Sequence, residues 1–320
     1  MSDIKVSVSI ITYKHVKYIR QCLDSILAQK VNFKYQIVVG EDCSNDGTRE
    51  ILLEYKEKYP DIFVLLLNEQ NMGASKNSYN VKLYCTGEYI VGCEGDDFWV
   101  DEYRLQKQAD FLDTHPGYIA VATNFVNVDA QGNNPIRSLY SWQTDKRYTL
   151  KHYLRYGMVL HGGTFMYRNL TPYRDERYIK LVFAEPTMGD VVARVLRYDK
   201  GDVYVLPDIT HAHRSGAETP TSFSAQQNKK ALYYTQMFFR IVDNVSAYLD
   251  GKYDLEPLKA NRMGAILRSK VLGKLPMDET EFKALWSSLT PRLKRLSISR
   301  CIQKIARNGL HKVAKLLMRK

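Results

Sequence analysis

Along the first third of the chain, short apolar runs alternate with amphipathic stretches. "VSVSIIT" (Val6 to Thr12), "YQIVVG", "IFVLLLN" and "EYIVGC" are runs of strand length. Between them, "KYIRQCLDSILAQ" sets Ile19, Leu23, Ile26 and Leu27 on one helical face. "TREILLEYKEKY" predicts a second helix that Pro60 stops, and "ASKNSYNVKLYC" a third that ends before Gly87. Strands and helices in this order predict an α/β fold with a mainly parallel sheet covered by helices. A fourth helix, "DEYRLQKQADFLDTH", and a strand, "YIAVATNFVNVD", come next. Residues 130–160 are polar and irregular, "GGTFMYR" and "GDVYVLP" read as later strands, and "GDVVARVLRY" between them is a short helix opening at Asp190. From about Ser222 the pattern is helical to the end, so an α/β domain is expected over 1–221 and a helical region over 222–320.

The polar clusters recur at one kind of place. "TYK", "GEDCSNDGT", "NEQNMG" and "EGDD" follow the first four strands, which puts all of them at carboxyl ends, the edge where open α/β sheets bind ligands. In "EGDD", carboxylates two apart on an extended segment point the same way and repel unless a cation lies between them. Oxygen ligands alone select a hard ion, Mg²⁺ or Mn²⁺. The other reading is a solvated turn, with Asp97 or Asp101 capping the next helix. Asp42 ends the second strand, where a carboxylate can accept from a nucleobase N–H or a ribose hydroxyl, or from loop amides. Asn45, Asp46 and Thr48 have an adequate explanation as turn and cap residues. Asn71 suits a cap before Gly73, and Asn77 is a candidate polar ligand contact.

In this order, "SIITYKHVKYIRQCLDSIL", "GEDCSNDGT", "NMGASKN" and "EGDDFW" resemble the family 2 glycosyltransferases, inverting enzymes with the GT-A fold, over roughly residues 5–215. The resemblance implies that Thr12, Tyr13 and Asp42 line the nucleotide pocket, with Asp42 facing the base, usually uracil, and that Asn71 and Asn77 belong to the donor side. It makes "EGDD" the DXD motif, with Asp96 on the metal and Glu94 facing the ribose or the metal through water. It implies Asp190 as the base, with Glu185 as fallback, His213 as a further metal ligand, Arg214 near a phosphate, and Asp97 and Trp99 on the acceptor side. Two departures stand out: Ile11 replaces the usual Pro before the Thr-Tyr pair, and Glu94 replaces an Asp. The implied reaction moves a sugar from a nucleotide-sugar donor, a UDP-sugar in the first instance, to a glycan or lipid-linked acceptor in cell-surface polysaccharide synthesis, with Mn²⁺ or Mg²⁺.

Composition adds a second feature. The net charge is +11, but residues 291–320 hold ten Lys or Arg and no Asp or Glu, so the rest carries 11 − 10 = +1. In "SRCIQKIARNGLHKVAKLLMRK", Ile302, Ala306, Leu310, Val313 and Leu317 recur at helical spacing, with Arg300, Lys304, Arg307, Lys315 and Arg319 on other faces. Such a basic amphipathic helix docks on an anionic membrane surface, or packs its apolar face on the protein. Five scattered cysteines without a CxxC pair argue for reduced thiols and against a zinc site. No leader and no run of 18 apolar residues is seen, so a cytoplasmic protein, peripheral on the inner face of the membrane, is expected.

Other classes fail on specific residues. "SNDGT" has Ser44 where a haloacid dehalogenase-type phosphatase needs its nucleophilic Asp. "TYKHVKY" lacks the Gly-rich phosphate loop that a sugar-nucleotide-forming nucleotidyltransferase or a Rossmann dehydrogenase requires. A non-catalytic protein binding nucleic acid or another anionic surface through its tail is the alternative, but no aromatic-basic sheet motif accompanies the tail, so no specific nucleic acid partner is expected.

Overall fold

The four apolar runs are parallel strands in the computed structural model, which describes residues 3–157, 160–170, 172–186, 189–215 and 230–317, with side chains as far as residue 306. β1 (Val6–Thr12), β2 (Tyr35–Glu41), β3 (Phe63–Leu67) and β4 (Tyr89–Glu94) alternate with α1 (Ile19–Leu27), α2 (Thr48–Lys58) and α3 (Ala74–Leu83). β1 lies between β2 and β4, and β3 flanks β2, all in parallel register. The strands read as continuous apolar runs because both faces are covered: Val8, Ile10, Ile37 and Val91 are fully buried, and Ile19, Leu23 and Ile26 of α1 pack in the same core. Gly87 sits where the chain enters β4 against β1; a Cβ there would lie 2.7 Å from the backbone N of Ser7.

After β4 the sheet turns mixed. β5 (Phe98–Trp99), α4 (Arg104–Thr114), β6 (Tyr118–Val128), β7 (Ile136–Arg137), β8 (Lys146–Tyr148), α5 (Leu150–Tyr156), β9 (Phe165–Arg168), α6 (Glu176–Phe183), α7 (Gly189–Lys200) and β10 (Asp202–Arg214) follow. The sheet order is β3-β2-β1-β4-β9-β6-β10-β5. β9 runs antiparallel to both β4 and β6. β10 is longer than its apolar run predicts: it passes through Pro207 with register shifts between Val205 and Ile209 and between Ile209 and His211, which accommodate a residue without an N–H. That extension carries His211, His213 and Arg214 to the carboxyl edge of β4, and Trp99 on β5 pairs with His211.

The chain divides into two units, Met1–Leu150 with Met158–Glu218, and Lys151–Gly157 with Thr219–Lys320. The boundary expected at 221 lies outside the described residues. In the second unit, Asn261 Nδ2 donates to Leu154 O (2.9 Å), fastening residues 151–157 to the helices. These are α8 (Ala231–Tyr248), α9 (Glu256–Val271), α10 (Glu279–Ser288) and α11 (Pro291–Leu317). Gly264 lets α9 and α11 approach closely, since a Cβ there would lie 2.6 Å from Arg300 Cβ and 3.0 Å from Ser297 O. The face of α11 that packs is therefore Leu293, Ser297 and Cys301, while Ile298, Ile302 and Ile305 are exposed. Lys304, expected on a free face, donates to Asn261 O (3.1 Å). The side chains of Leu310, Val313 and Leu317 lie outside those described.

Candidate active site

The register that pairs Thr12 with Glu41 and Ile11 with Glu94 brings three strand ends to one edge. The loop after β1 is knitted to the loop after β2 by three successive backbone donors: Lys14 N to Ser44 Oγ (2.9 Å), His15 N to Thr48 Oγ1 (3.0 Å) and Val16 N to Asp46 Oδ2 (3.2 Å). Thr12 Oγ1 meets His15 Nδ1 at 3.1 Å. Gly95 passes directly over this pair, and a Cβ there would stand 2.6 Å from Thr12 Oγ1. Tyr13 is partly exposed beside them.

Asp96 and Asp97, adjacent in sequence, face opposite ways. Asp97 is 1% exposed and accepts from His211 Nε2 (3.0 Å), His213 Nδ1 (3.3 Å) and Arg214 N (2.9 Å). His211 Nδ1 in turn lies 3.2 Å from Arg104 Nη1. Because a guanidinium only donates, Nδ1 must be the acceptor and the His211 proton sits on Nε2, aimed at Asp97. Burial alone would raise the Asp97 carboxyl, but the hydrogen bonds from His211 and His213 hold it well below the usual carboxylate range. Burial lowers His211, and lowers His161 to about 3. His213 is raised: burial opposes its charge, but the bond to Asp97 and the charges of Asp97, Glu94 and Asp96 prevail.

Asp97, His161 and His211 have ligand atoms within 4.8 Å of one another. They do not fit a metal ion as they stand, since the His211 lone pair faces Arg104 and His161 Nδ1 accepts from Gly163 N (3.2 Å). Glu94 and Asp96 do fit one. Neither carboxylate is paired with a cationic side chain among the described residues. Burial, then the charges of Asp97 and Asp96, raises Glu94 to about 8 although water reaches its side chain; either cause opposes a second negative charge there. Burial raises Asp96 as well. Crowded, unneutralised oxygens at a strand end suit a hard divalent cation.

Asp190 opens α7 with 60% of its side chain exposed and bonds Arg194 Nη2 one turn on (2.9 Å). Beside it a cavity of about 140 Å³ lies at the end of β4, lined by Glu94 and Asp190 and also by Ser9, Lys82, Arg194 and Arg197. Glu94, Asp96 and Asp190 thus share one edge of the sheet.

Several expected roles need correction. Asn77 is 2% exposed, and its amide donates to Gly40 O (2.9 Å) and accepts from Asn68, so it fastens α3 to β2 and is not presented to a ligand. Asp97 and Trp99 do not form an acceptor surface: the first is the buried acceptor just described, and the second is 4% exposed in the core with Arg104 over its ring. Arg214 is 4% exposed and gives its guanidinium to Asp96 O, Ala130 O and Gln21 Oε1 instead of a phosphate. Asp42 is 3% exposed, and accepts from Asn68 Nδ2, Met72 N and Gly73 N, which sets the loop before α3. Asn71, exposed, accepts from Gly73 N (3.0 Å). Sequence reasoning missed His15, Arg104, His161, Lys82 and Arg197. Only Arg197 carried a usable signal, the seven-residue spacing from Asp190 that puts both on one helical face.

A model of glycosyl transferase family 2 matches residues 7–177, more than half of the chain, and the chain belongs to that family. The Staphylococcus aureus TarS structure with UDP aligns at a TM-score of 0.56 and 17% identity, over 90% of this chain and 76% of that one, which establishes the GT-A fold. An uncharacterized protein of Mycobacterium tuberculosis is 39% identical over 110 residues, 34% of this chain and 32% of its own length. TuaG of Bacillus subtilis, whose name places it in teichuronic acid biosynthesis, is 33% identical over 114 residues, 35% of this chain and 44% of that protein. These two relatives are thus matched over less than half of their lengths.

Proposed function

We propose that the protein transfers a sugar from a UDP-sugar to a hydroxyl of a glycan or lipid-linked acceptor in cell-surface polysaccharide synthesis, with inversion at the anomeric carbon. The observation that carries this reading is the unneutralised Glu94 and Asp96 pair at the edge of β4, beside a cavity whose wall holds Asp190. The nucleotide lies against Thr12, Tyr13 and the loop that Asp42 sets, with Asn71 at its margin. Asp96, with Glu94 and the partly exposed His213, would hold Mn²⁺ or Mg²⁺. When bound, such an ion supplies positive charge at the departing diphosphate. Asp190 takes the acceptor proton as the oxygen bonds to the anomeric carbon and the bond to the diphosphate breaks on the opposite face. TarS structures with UDP and with UDP-GlcNAc support the choice of a uridine nucleotide.

A second part of the proposal concerns place. Among the described residues no helix is long and apolar enough to cross a membrane. α11 presents Ile298, Ile302 and Ile305 outward among basic residues, and this face would dock on the anionic inner surface of the membrane, facing the cytoplasm.

Thermal stabilisation by UDP, GDP, CMP and ADP, each with and without Mn²⁺, tests the donor class. A rise in Tm with UDP that needs Mn²⁺ and is lost in Asp96→Ala is expected. The absence of any nucleotide effect on the folded wild type would sink the reading.

A further inference from the structure

The cavity beside Asp190 has two chemically distinct walls. On one side are the carboxylates Glu94 and Asp190, the latter largely exposed. On the other, Lys82 comes from α3 and Arg197 from α7, both only partly exposed. Arg194 is already committed to Asp190. Arg197 lies flat over the Tyr167 ring at 4.1 Å and against Phe165 at 5.2 Å, contacts that hold its plane but satisfy none of its N–H groups. Among the described residues neither Lys82 nor Arg197 has a carboxylate partner. Ser9, on the central strand β1 and 8% exposed, adds a hydroxyl to the same lining.

Lys82, Arg194 and Arg197 outnumber the carboxylates Glu94 and Asp190 in this lining, and like charges held near one another away from bulk water are costly. The strain is visible on Lys82, whose ammonium is lowered to about 8 by burial and then by the charge of Arg197, which the charge of Asp190 only partly offsets. Nor is the space a packing defect. At about 140 Å³ it exceeds by far the ~10–15 Å³ that a single water needs, and Asp190 is part of its lining. Asp190, Arg194 and Arg197 follow one face of α7, so a ligand whose hydroxyl or anomeric carbon lies at Asp190 can extend a substituent towards Arg197.

We propose that this cavity is an anion subsite: Lys82 and Arg197, with the Ser9 hydroxyl, receive a carboxylate or phosphate carried by one of the two sugars of the reaction. The inference rests on the glycosyltransferase reading and narrows its substrate class to acidic sugars, whether the acid is on the transferred sugar or on the acceptor.

Titration calorimetry with the full chain and Mn²⁺ distinguishes the two sources. One arm compares UDP-glucuronic acid with UDP-glucose. The other, at saturating UDP, compares glucuronic acid and glucose 6-phosphate with glucose. At pH 7 one arm should favour the charged member at least about tenfold, a difference of about 1.4 kcal/mol. Lys82→Gln should bring that ratio to within about threefold and Lys82→Arg should retain it, with both variants melting near the wild type because Lys82 makes no bond that the fold needs. The preference should also fade as pH rises past about 8, where Lys82 loses its proton. UDP binding with charged and neutral sugars equal in both arms overturns the subsite alone, as does a preference untouched by Lys82→Gln. Absence of UDP binding overturns the underlying reading and the subsite with it.

Discussion

Replacing Asp97 by Asn tests the buried hydrogen-bond relay behind the Glu94 and Asp96 edge. The swap conserves shape, so its cost comes from hydrogen-bond polarity. In the native site Oδ1 accepts from Arg214 N and His213, and Oδ2 accepts from His211. An amide has one oxygen and one NH₂. If the oxygen faces Arg214 N, the NH₂ meets the His211 Nε2 proton; if it faces His211, the NH₂ meets the Arg214 N–H. His211 cannot escape by changing tautomer, because Arg104 donates to its other nitrogen. One charge-assisted bond, about 1.5–3 kcal/mol, is lost and one buried donor, about 1–3 kcal/mol, is stranded, for a total of roughly 3–5 kcal/mol. At about 2–4 °C per kcal/mol for a domain of this size, Tm at pH 7.5 should fall by roughly 6–20 °C.

Acidification supplies the sign check. The folded Asp97 carboxyl is depressed, so its contribution is complete above the ordinary Asp value and is lost as pH falls through the folded one. The gap between wild type and Asp97→Asn should therefore widen as pH falls from about 8 through the His213 titration, because His213 is raised by Asp97, and narrow only below about pH 4, where Asp97 itself is lost. Differential scanning calorimetry measures both. Adding Arg104→Met frees His211 Nδ1 to take the proton, so Nε2 can accept from the Asn amide, and the double-mutant cycle should recover at least about 1 kcal/mol of the Asn penalty. A Tm for Asp97→Asn within about 2 °C of the wild type, or a cycle with no coupling, would refute the tautomer assignment.

Two other substitutions separate chemistry from docking. Asp190→Asn should leave UDP-dependent stabilisation unchanged while turnover falls by at least about a hundredfold, the scale of general-base loss, measured by UDP release; retained turnover would place the base elsewhere. Ile302→Asp, at an exposed position of α11, should spare Tm and weaken co-sedimentation with phosphatidylserine vesicles several-fold, and unchanged sedimentation would exclude this face as the membrane contact.

The parallel half of the sheet was legible because each strand and helix carries its own local pattern, and a parallel β-α order brings every carboxyl end to one edge. What eluded the sequence depends on distant partners. Asp96 and Asp97 are equivalent as local chemistry, and only a partner 114 residues away, His211, shows which of them is turned inward. β5 is two residues long and exists through its pairing with β10, and β10 outlasts Pro207 because its neighbour β6 tolerates register shifts. Asn77 reads as a ligand contact until the close approach of Gly40 to α3 is known. On α11 the amphipathic pattern was visible, but the packed face was chosen by Gly264 on another helix.

Arg214 fixes more than its own position. Its guanidinium holds Gln21, the Asp96 carbonyl and the Ala130 carbonyl together, and rests on the rings of Tyr18 and Phe98. Helix α1 and two loops from different parts of the chain therefore share one spacer, and none can drift without the others. In a library of variants this residue would score as indispensable for activity while touching no reacting atom. The loop of Asn71 and the helix of Lys82 are free of that spacer, which leaves them as the places where sugar preference can be reshaped without dismantling the frame.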